Sequence, residues 1–599
     1  MILRVGSVIG VVLALSLGLL AANPINGAAG NHETRLTTAP LNPDFLEYME
    51  SGKMQVLRSG DDMYRLGYVP SPLPQRKREV SSIVRLQADS LPSRYDMRDP
   101  NGDGDQKDSL LPPVRDQGTC GSCWAFAMYG VYESQLKRLF GQTADFSENN
   151  MIHRHGFEWD PCQGGNFDMS LAYLSRYDGP VREKKDPYNP LPDGTYCEKC
   201  VAVKYVHDLV VLPAKADIND NEYIKRAILN NGALISSMYW DASRFNSAES
   251  TYYYKTFSML KPVVNHAVVI VGWDDQKVVK GAPDPGAFIV RNSWGSEWGE
   301  GGYFYISYYD EVFASINLEH VVPKKNARFD RAYYYDEFGV THHMGYSSGT
   351  AWLANRFVAD EPGWLRSVGF YATGPDTDYE IYVYGLFDGN GFRKLLTTAK
   401  GKVAEAGWYT VRLKKEIVLA KGTEFNVVVK VKTPGTTWPI AIEMSIKGYC
   451  QTSASPGQSY ISSNGTTWTD ITTLYPDANV CMKALVKTRP TVTIKARIPD
   501  VLEGSTDDGR FIVRRTGSAS LPITVHYSIG GTATSGVDYK ALPGKVTIGA
   551  GLGYKAVKVL PIDDNKKEPN ETVILTIKPN PAYIVGTPSS ARVTIKDDD

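Results

Sequence analysis

The sequence is poor in the side chains that do chemistry near neutral pH: 599 residues hold only nine histidines and seven cysteines. It also lacks any excess of charge, with 65 basic against 66 acidic residues and a formal net charge of −1. That balance argues against a nucleic-acid-binding protein, which needs a basic face. No apolar run after the N-terminus is long enough to cross a bilayer. Neither a helical repeat nor a low-complexity tract is present, which excludes solenoid and fibrous architectures. What remains is ordinary for folded protein, 42% hydrophobic and 22% charged. A chain this long exceeds one hydrophobic core, so three or four domains are expected.

The N-terminus reads as a targeting segment. Arg4 precedes an apolar run from Val5 to Ala22, diluted by Gly6, Ser7, Gly10 and Gly18 and followed by Ala28, Ala29 and Gly30. A cleaved signal peptide over residues 1–29 is expected, with an uncleaved anchor as the alternative. Either places the protein outside the cell or on its surface, where cysteines tend to pair. The seven are Cys120, Cys123, Cys162, Cys197, Cys200, Cys450 and Cys481, and an odd count leaves at least one thiol free.

Residues 30–90 are polar and proline-broken, notably at Pro70-Ser71-Pro72-Leu73-Pro74, and carry the basic cluster Arg76-Lys77-Arg78. They read as a pro-segment with a protease-accessible loop, or as a linker. Residues 91–323 mix patterns: helical spacing over Trp124–Phe140, then short β-rich pieces such as Ala267–Gly272 and Gly302–Ser307. From 324 to 488 the segments are short, β-branched or aromatic, and separated by Gly, Pro, Asn and Asp, the texture of a β-sandwich. A second such block fills 489–599, with Val573/Leu575/Ile577 and Val593/Ile595 alternating.

The chemistry concentrates in Gln117-Gly118-Thr119-Cys120-Gly121-Ser122-Cys123-Trp124-Ala125-Phe126. Cys123 opens a predicted helix, where unsatisfied N–H groups and the helix dipole favour thiolate, the nucleophilic form. The glycines allow close main-chain approach, and Gln117 can add a side-chain amide to an oxyanion site. A thiolate attacking an amide needs a proton donor for the leaving amine. His266, at the start of the apolar stretch His266–Gly272, is the candidate, and Asn292 in Asn292-Ser293-Trp294-Gly295 is placed to orient it. Trp294 can cover their hydrogen bond. A lone cysteine is more often inert packing; three blocks in this order argue otherwise.

These blocks resemble those of the papain/cathepsin family of cysteine peptidases. His266 and Asn292 lie 143 and 169 residues beyond Cys123, and an Asp274–Gly286 insertion accounts for the longer second interval. Further matches are Leu91-Pro92 with Asp96, Phe146-Ser147-Glu148-Asn149, and Cys162-Gln163-Gly164-Gly165. The resemblance implies a two-lobed α+β catalytic domain, helical on one side and β-rich on the other. It implies Cys123 as nucleophile, His266 as acid–base, Asn292 as its orienter and Gln117 as oxyanion donor, with no cofactor. Gly164 and Gly165 would line the substrate cleft with Trp294. Asn166, Phe167 and Val264 would form the subsite next to the scissile residue, favouring apolar side chains. Protein or peptide substrates follow, cleaved by an endopeptidase, with an exopeptidase left open although no cleft-blocking insertion is evident; acyl transfer to an amine is a further reading.

The family also implies a Cys120–Cys162 disulfide. Arg154 stands where the family would place the partner of Cys197, so Cys197–Cys200 would close a local loop; a zinc site is the rival reading, though two ligands fall short of four. Cys450–Cys481 would complete the pairing and leave Cys123 free. The pro-segment lacks the long helical inhibitor pattern of many cathepsins, which leaves open whether it blocks the cleft. Asp99-Pro100-Asn101-Gly102-Asp103-Gly104-Asp105 reads either as a calcium loop or as an acidic surface loop.

Residues 324–488 resemble the lectin-like β modules attached to some prokaryotic papain-like proteases. Their tyrosines and tryptophans would pack the sandwich or stack on a carbohydrate or other cell-surface ligand. Residues 489–599 resemble a Calx-beta domain through Val501-Leu502-Glu503-Gly504, Gly531–Tyr539, and Ile562-Asp563-Asp564-Asn565 with Glu568 and Glu571. The resemblance implies calcium held by Glu503, Asp538, Asp563, Asp564, Glu568 and the tail Asp597, Asp598 and Asp599. The fold expected overall is multidomain, a papain-like domain followed by two all-β sandwiches. The rival to a peptidase is an adhesion or matrix-binding protein in which proteolysis is secondary. Nothing in the sequence fixes an oligomeric state.

Overall fold

The computed structural model describes residues 35–51, 66–77, 91–189, 194–256, 262–315, 318–324, 329–517, 519 and 522–599. The expected signal peptide lies outside them, as does Arg78 of the basic cluster. Among the described residues no helix is long and apolar enough to cross a membrane.

Five α-helices are described: α1 (Pro43–Ser51), α2 (Cys123–Phe140), α3 (Glu148–Arg154), α4 (Phe167–Ser175) and α5 (Asn221–Asn231). Helix α2 is buried on every side from Cys123 to Leu136; its polar residues there are partnered, Glu133 by Arg115 and Ser134 by the Leu110 carbonyl. It stops at Gly141, whose left-handed backbone (φ 62°) turns its N–H back to the carbonyls of Leu136 and Lys137. Ser147 and Asn166 cap α3 and α4 by accepting from the N–H groups of Asn150 and Met169.

Opposite this helical lobe stand the antiparallel strands Val206–Leu212, Leu234–Met238, His266–Asp274, Ala287–Arg291, Tyr303–Ser307 and Leu318–Pro323. Their sheet does not end at the domain boundary. Val206–Leu212 also pairs with Ala406–Leu419 of the second domain, in the register Ala406↔Val211, Gly407↔Val210, Trp408↔Leu209. Gly407 has φ 135°, and a Cβ there would sit 2.1 Å from the Leu209 carbonyl oxygen, so the junction requires glycine.

The second domain is a sandwich. One layer holds six strands, including Thr350–Val358, Thr377–Phe387 and Glu424–Lys432; the other includes Gly363–Ala372, Ala406–Leu419 and Met482–Thr488. Leu353, Phe357, Ile381, Val383, Val427 and Val429 face Leu365, Val368 and Phe370 in its core. The third domain repeats the plan with four-stranded and five-stranded sheets around Ile494, Phe511, Val513, Val573, Leu575 and Val593. Alternating inward residues along each strand produce both cores.

Two disulfides are formed, Cys120–Cys162 and Cys197–Cys200. The expected Cys450–Cys481 bond is not. Both thiols are free and buried, and each sulfur is turned to a different carbonyl, Cys450 to Met444 at 3.8 Å and Cys481 to Gly339 at 3.3 Å. Counting cysteines could not reveal that buried thiols behave here as small apolar side chains. In the Asp99–Asp105 loop, the Asp99 carboxylate accepts from the N–H groups of Gly102, Asp103 and Gly104, so its oxygens brace the turn itself.

Candidate active site

Cys123 is the first residue of α2 and His266 the first of its strand, which brings both to the seam between the lobes. The contact is direct: the N–H of Ala267 points at the Cys123 sulfur, 3.4 Å away. His266 Nε2 lies 2.8 Å from Asn292 Oδ1. Asn292 Oδ1 also accepts from the N–H of Ser293, and the Asn292 main chain is tied to Gly302, so the amide is held on both sides. Trp294 lies over the imidazole, ring centroids 4.6 Å apart and 26° from parallel. That leaves Nδ1 of His266 buried and without a hydrogen-bond partner among the described residues, as a nitrogen that receives a thiol proton must be.

Gln117 is fully buried. Its Nε2 donates to the Cys120 carbonyl at 2.7 Å, and its Oε1 accepts from the Ser293 hydroxyl at 2.6 Å. Ser293, which the sequence reading passed over, therefore fixes which end of the amide faces the cysteine loop. Its position directly after Asn292 was the available signal.

Residues 67–70 of the chain lie across the cleft. Tyr68 forms a parallel bridge with Gly165: the Val69 N–H donates to the Gly165 carbonyl and the Gly165 N–H to the Gly67 carbonyl, both at 2.9 Å. The Tyr68 N–H donates to the Asn265 carbonyl at 3.1 Å. Gly67 lies so close to the cysteine loop that a Cβ would fall 2.1 Å from the Gly121 carbonyl oxygen. Gly165 is constrained likewise, since a Cβ there would meet the Trp124 indole at 2.5 Å. Gly164 has φ 104°. Phe167 packs on the Tyr68 ring, centroids 5.0 Å apart, and Val264 is buried nearby in the same core. Asn166 is not a free subsite wall: its side chain caps α4 and donates to Pro70 and to the Tyr449 hydroxyl.

This cover sets the electrostatics. Burial pushes the Cys123 thiol up to about 11, against the N–H groups of Ala267, Gly67 and Trp124 that pull it down. Burial also lowers His266 to about 4, against the Asn292 hydrogen bond. The helix N-terminus expected to favour thiolate is present, but desolvation outweighs it while the cleft is closed. Thiol and imidazole therefore rest in their neutral forms.

The segment before the cleft is anchored on the second domain. Thr37–Thr38 adds a strand to His342–Gly345, and Phe45 of α1 is fully buried against Tyr449.

At one end of the third domain Asp538, Glu568 and Glu571 bring carboxylate oxygens within 4.8 Å of one another. Burial and then the charges of Asp564, Asp597, Asp538 and Asp563 raise Glu503, which places those acids around it. Asp598 accepts from the Gly504 N–H at 3.0 Å, and Asp597 from that of Glu568 at 3.1 Å. Glu571 joins the group although the expected ligand set omitted it. All-oxygen donors of this density fit a hard cation such as calcium.

The comparisons with known proteins agree with this geometry domain by domain. Residues 91–323 match the model of the papain family of cysteine proteases, 332–486 that of the lectin-like domain, and 487–599 that of the Calx-beta domain. Cysteine proteinase 3 of Entamoeba histolytica is 28% identical over 233 residues, 38% of this chain and 67% of that protein. Pro-cathepsin H of Bos taurus is 29% identical over 208 residues, 35% of this chain and 59% of that protein. The match thus spans about three fifths to two thirds of these relatives. The crystal structure of the cysteine protease and lectin-like domains of Cwp84, a surface layer associated protein of Clostridium difficile, superposes with a TM-score of 0.60 at 25% identity. It covers 76% of this chain and 98% of that one. The chain carries a papain-family cysteine protease domain, followed by a lectin-like domain and a Calx-beta domain.

Proposed function

We propose that the protein is an exported cysteine endopeptidase made as a self-covered precursor. The observation that carries this reading is the cluster of Cys123, His266, Asn292 and Gln117 beneath a chain segment that hydrogen-bonds Gly165 as a peptide would. Once residues 66–77 leave, the thiol proton passes to His266 and the Cys123 sulfur adds to the substrate carbonyl carbon. Gln117 and the Cys123 N–H receive the oxyanion. His266 then protonates the departing amine, leaving a thioester. Water, deprotonated by His266, attacks that thioester, releases the acid and returns the thiol. Asn292 keeps the imidazole aimed throughout, and Trp294 shields their bond from water.

Export rests on the N-terminal segment and on the surface-layer association of Cwp84; N-terminal sequencing of protein from the culture medium should begin near residue 30 or later. Calcium in the third domain rests on the acidic cluster, whose mutual repulsion a cation would relieve. The enzymatic reading is tested by treating the chain, freed of its pro-segment, with a thiol-directed epoxide and mapping the adduct by mass. A single adduct on Cys123 supports it; adducts on Cys450 or Cys481 alone oppose it.

One observation favours an adhesive role beside proteolysis. The outer face of the six-stranded sheet bears an aromatic cleft of about 490 Å³ between Trp352, Tyr382, Tyr384, Phe392 and Trp468, rimmed by Arg393, Asn464 and Thr466. Flat aromatic faces with a polar rim suit a glycan ligand. Retention of the Cys123→Ala chain on immobilised glycans, lost on Trp352→Ala, would establish a binding role independent of catalysis; no retention would oppose it.

A further inference from the structure

A buried cluster of one amine and two acids in the second domain has no part in peptide hydrolysis. Lys483 Nζ lies 2.6 Å from Asp336 Oδ2 and 3.0 Å from the Asp336 carbonyl oxygen, and neither side chain has any exposure. Lys483 belongs to the strand Met482–Thr488, which pairs with Arg331–Tyr333 on one side and Gly363–Ala372 on the other. Asp336 stands shortly after Arg331–Tyr333. The rings of Tyr334 and Trp408 lie 4.5 and 5.8 Å from Nζ and cover the pair.

Glu443 is the second acid, itself buried. Its Oε2 accepts from the Phe338 N–H at 2.9 Å, two residues beyond Asp336. Its Oε1 accepts from Asn479 Nδ2 at 2.8 Å, and the same Nδ2 donates to the carbonyl of Tyr335, the residue before Asp336, at 3.3 Å. The Glu443 carboxyl is thus bound to the chain on both sides of Asp336. Asp336 Oδ1 has no hydrogen-bond partner among the described residues. A buried acceptor in that state points to a donor close by, and a protonated Glu443 is one.

Two ions held out of water repay their desolvation poorly, and burial favours the neutral amine and the neutral acid. Burial holds Asp336 above the usual carboxylate range against the pull of Lys483. Burial, and then the Asp336 charge, pushes Glu443 up to about 8, so it carries a proton at neutral pH. An amine fixed against a carboxyl group meets it without the entropy of an encounter. With water excluded, the reverse hydrolysis loses its reactant.

We propose that Lys483 and Asp336 condense to an intramolecular amide, with Glu443 as proton relay. The ion pair is the unreacted state. Lys483 first returns one proton to the Asp336 carboxylate. Nζ then adds to Asp336 Cγ, a Cγ–O bond breaks, and that oxygen leaves as water with a proton from Glu443. Glu443 recovers a proton from Nζ, so no oxidant or cofactor takes part. The bond ties the segment by which the chain enters the second domain to the strand by which it leaves. Tension between the first and third domains would then pass through a covalent link instead of unzipping the sandwich.

The test is mass spectrometry of the full chain, reduced, unfolded and digested with trypsin. The expected product is one branched peptide, residues 332–356 joined to 448–487, lighter than the sum of its parts by one water and uncut after Lys483. Lys483→Met should abolish it. Glu443→Gln, shown to be folded by near-ultraviolet circular dichroism, should lower its yield about tenfold or more. Recovery of the two segments only as separate, unmodified peptides, with cleavage after Lys483, overturns the inference. Full cross-linking in Glu443→Gln overturns the role of Glu443.

Discussion

Tyr68 and Gly165 are joined main chain to main chain, in parallel, by two hydrogen bonds of 2.9 Å to the residues either side of Tyr68. Residues 67–69 thereby occupy the main-chain edge of Gly165, with Gly67 against the Cys123 loop.

Gly67 is the weak point of this cover. Because a Cβ would collide with the Gly121 carbonyl, Gly67→Ala should prevent residues 66–69 from seating. The unprocessed variant should cleave a small fluorogenic peptide at least tenfold faster than the unprocessed parent. After removal of the pro-segment, the two should be indistinguishable.

Covering also fixes how Cys123 responds to pH. In the closed chain its thiol is raised to about 11, so thiolate appears only as pH rises towards that value. Iodoacetamide should therefore label Cys123 slowly at pH 7 and faster towards pH 10. Once the segment is gone, burial no longer opposes the N–H groups and helix terminus around the sulfur, and labelling should be fast at pH 6–7.

Asn292 is expected to act through His266 alone. Asn292→Ala should lower kcat about 10- to 100-fold with little change in KM, since an untethered imidazole samples unproductive orientations. The pH–rate profile should shift on its acid limb, a change that a merely destabilised fold would not produce.

Stability should hinge on an ion pair deep in the second domain. Lys483 Nζ lies 2.6 Å from Asp336 Oδ2, and neither side chain has any exposure. Lys483→Met would strand a buried carboxylate, so a loss of about 3–5 kcal/mol is expected. Urea denaturation followed by tryptophan fluorescence measures it.

Chelation should act on the third domain. If the cluster of Asp538, Glu568 and Glu571 holds calcium, EDTA will lower its unfolding temperature, and Asp538→Asn will remove most of that response. Peptide cleavage should be unaffected.

That Cys123, His266 and Asn292 come together was legible from three short blocks in chain order, with Cys123 at a helix start and His266 at a strand start. Period-two alternation likewise marked the cores of both sandwiches. Properties of three-dimensional neighbourhood escaped. Cys450 and Cys481 differ from paired cysteines only in where their sulfurs point. Residues 67–69 carry no helical pattern, yet they lie across the cleft, because their contacts are main-chain bonds to partners far along the chain. The shared ladder between Val206–Leu212 and Ala406–Leu419 is equally non-local.

The most direct measurement is hydrolysis of a fluorogenic peptide library by the full chain with its pro-segment removed, beside the Cys123→Ala protein treated identically. Turnover by the parent, stopped by a thiol-directed inhibitor and reduced at least a thousandfold in Cys123→Ala, is the expected result. Equal turnover in the two proteins, or none in a folded parent whose cleft is open, would contradict a role for Cys123 as the nucleophile of a peptidase.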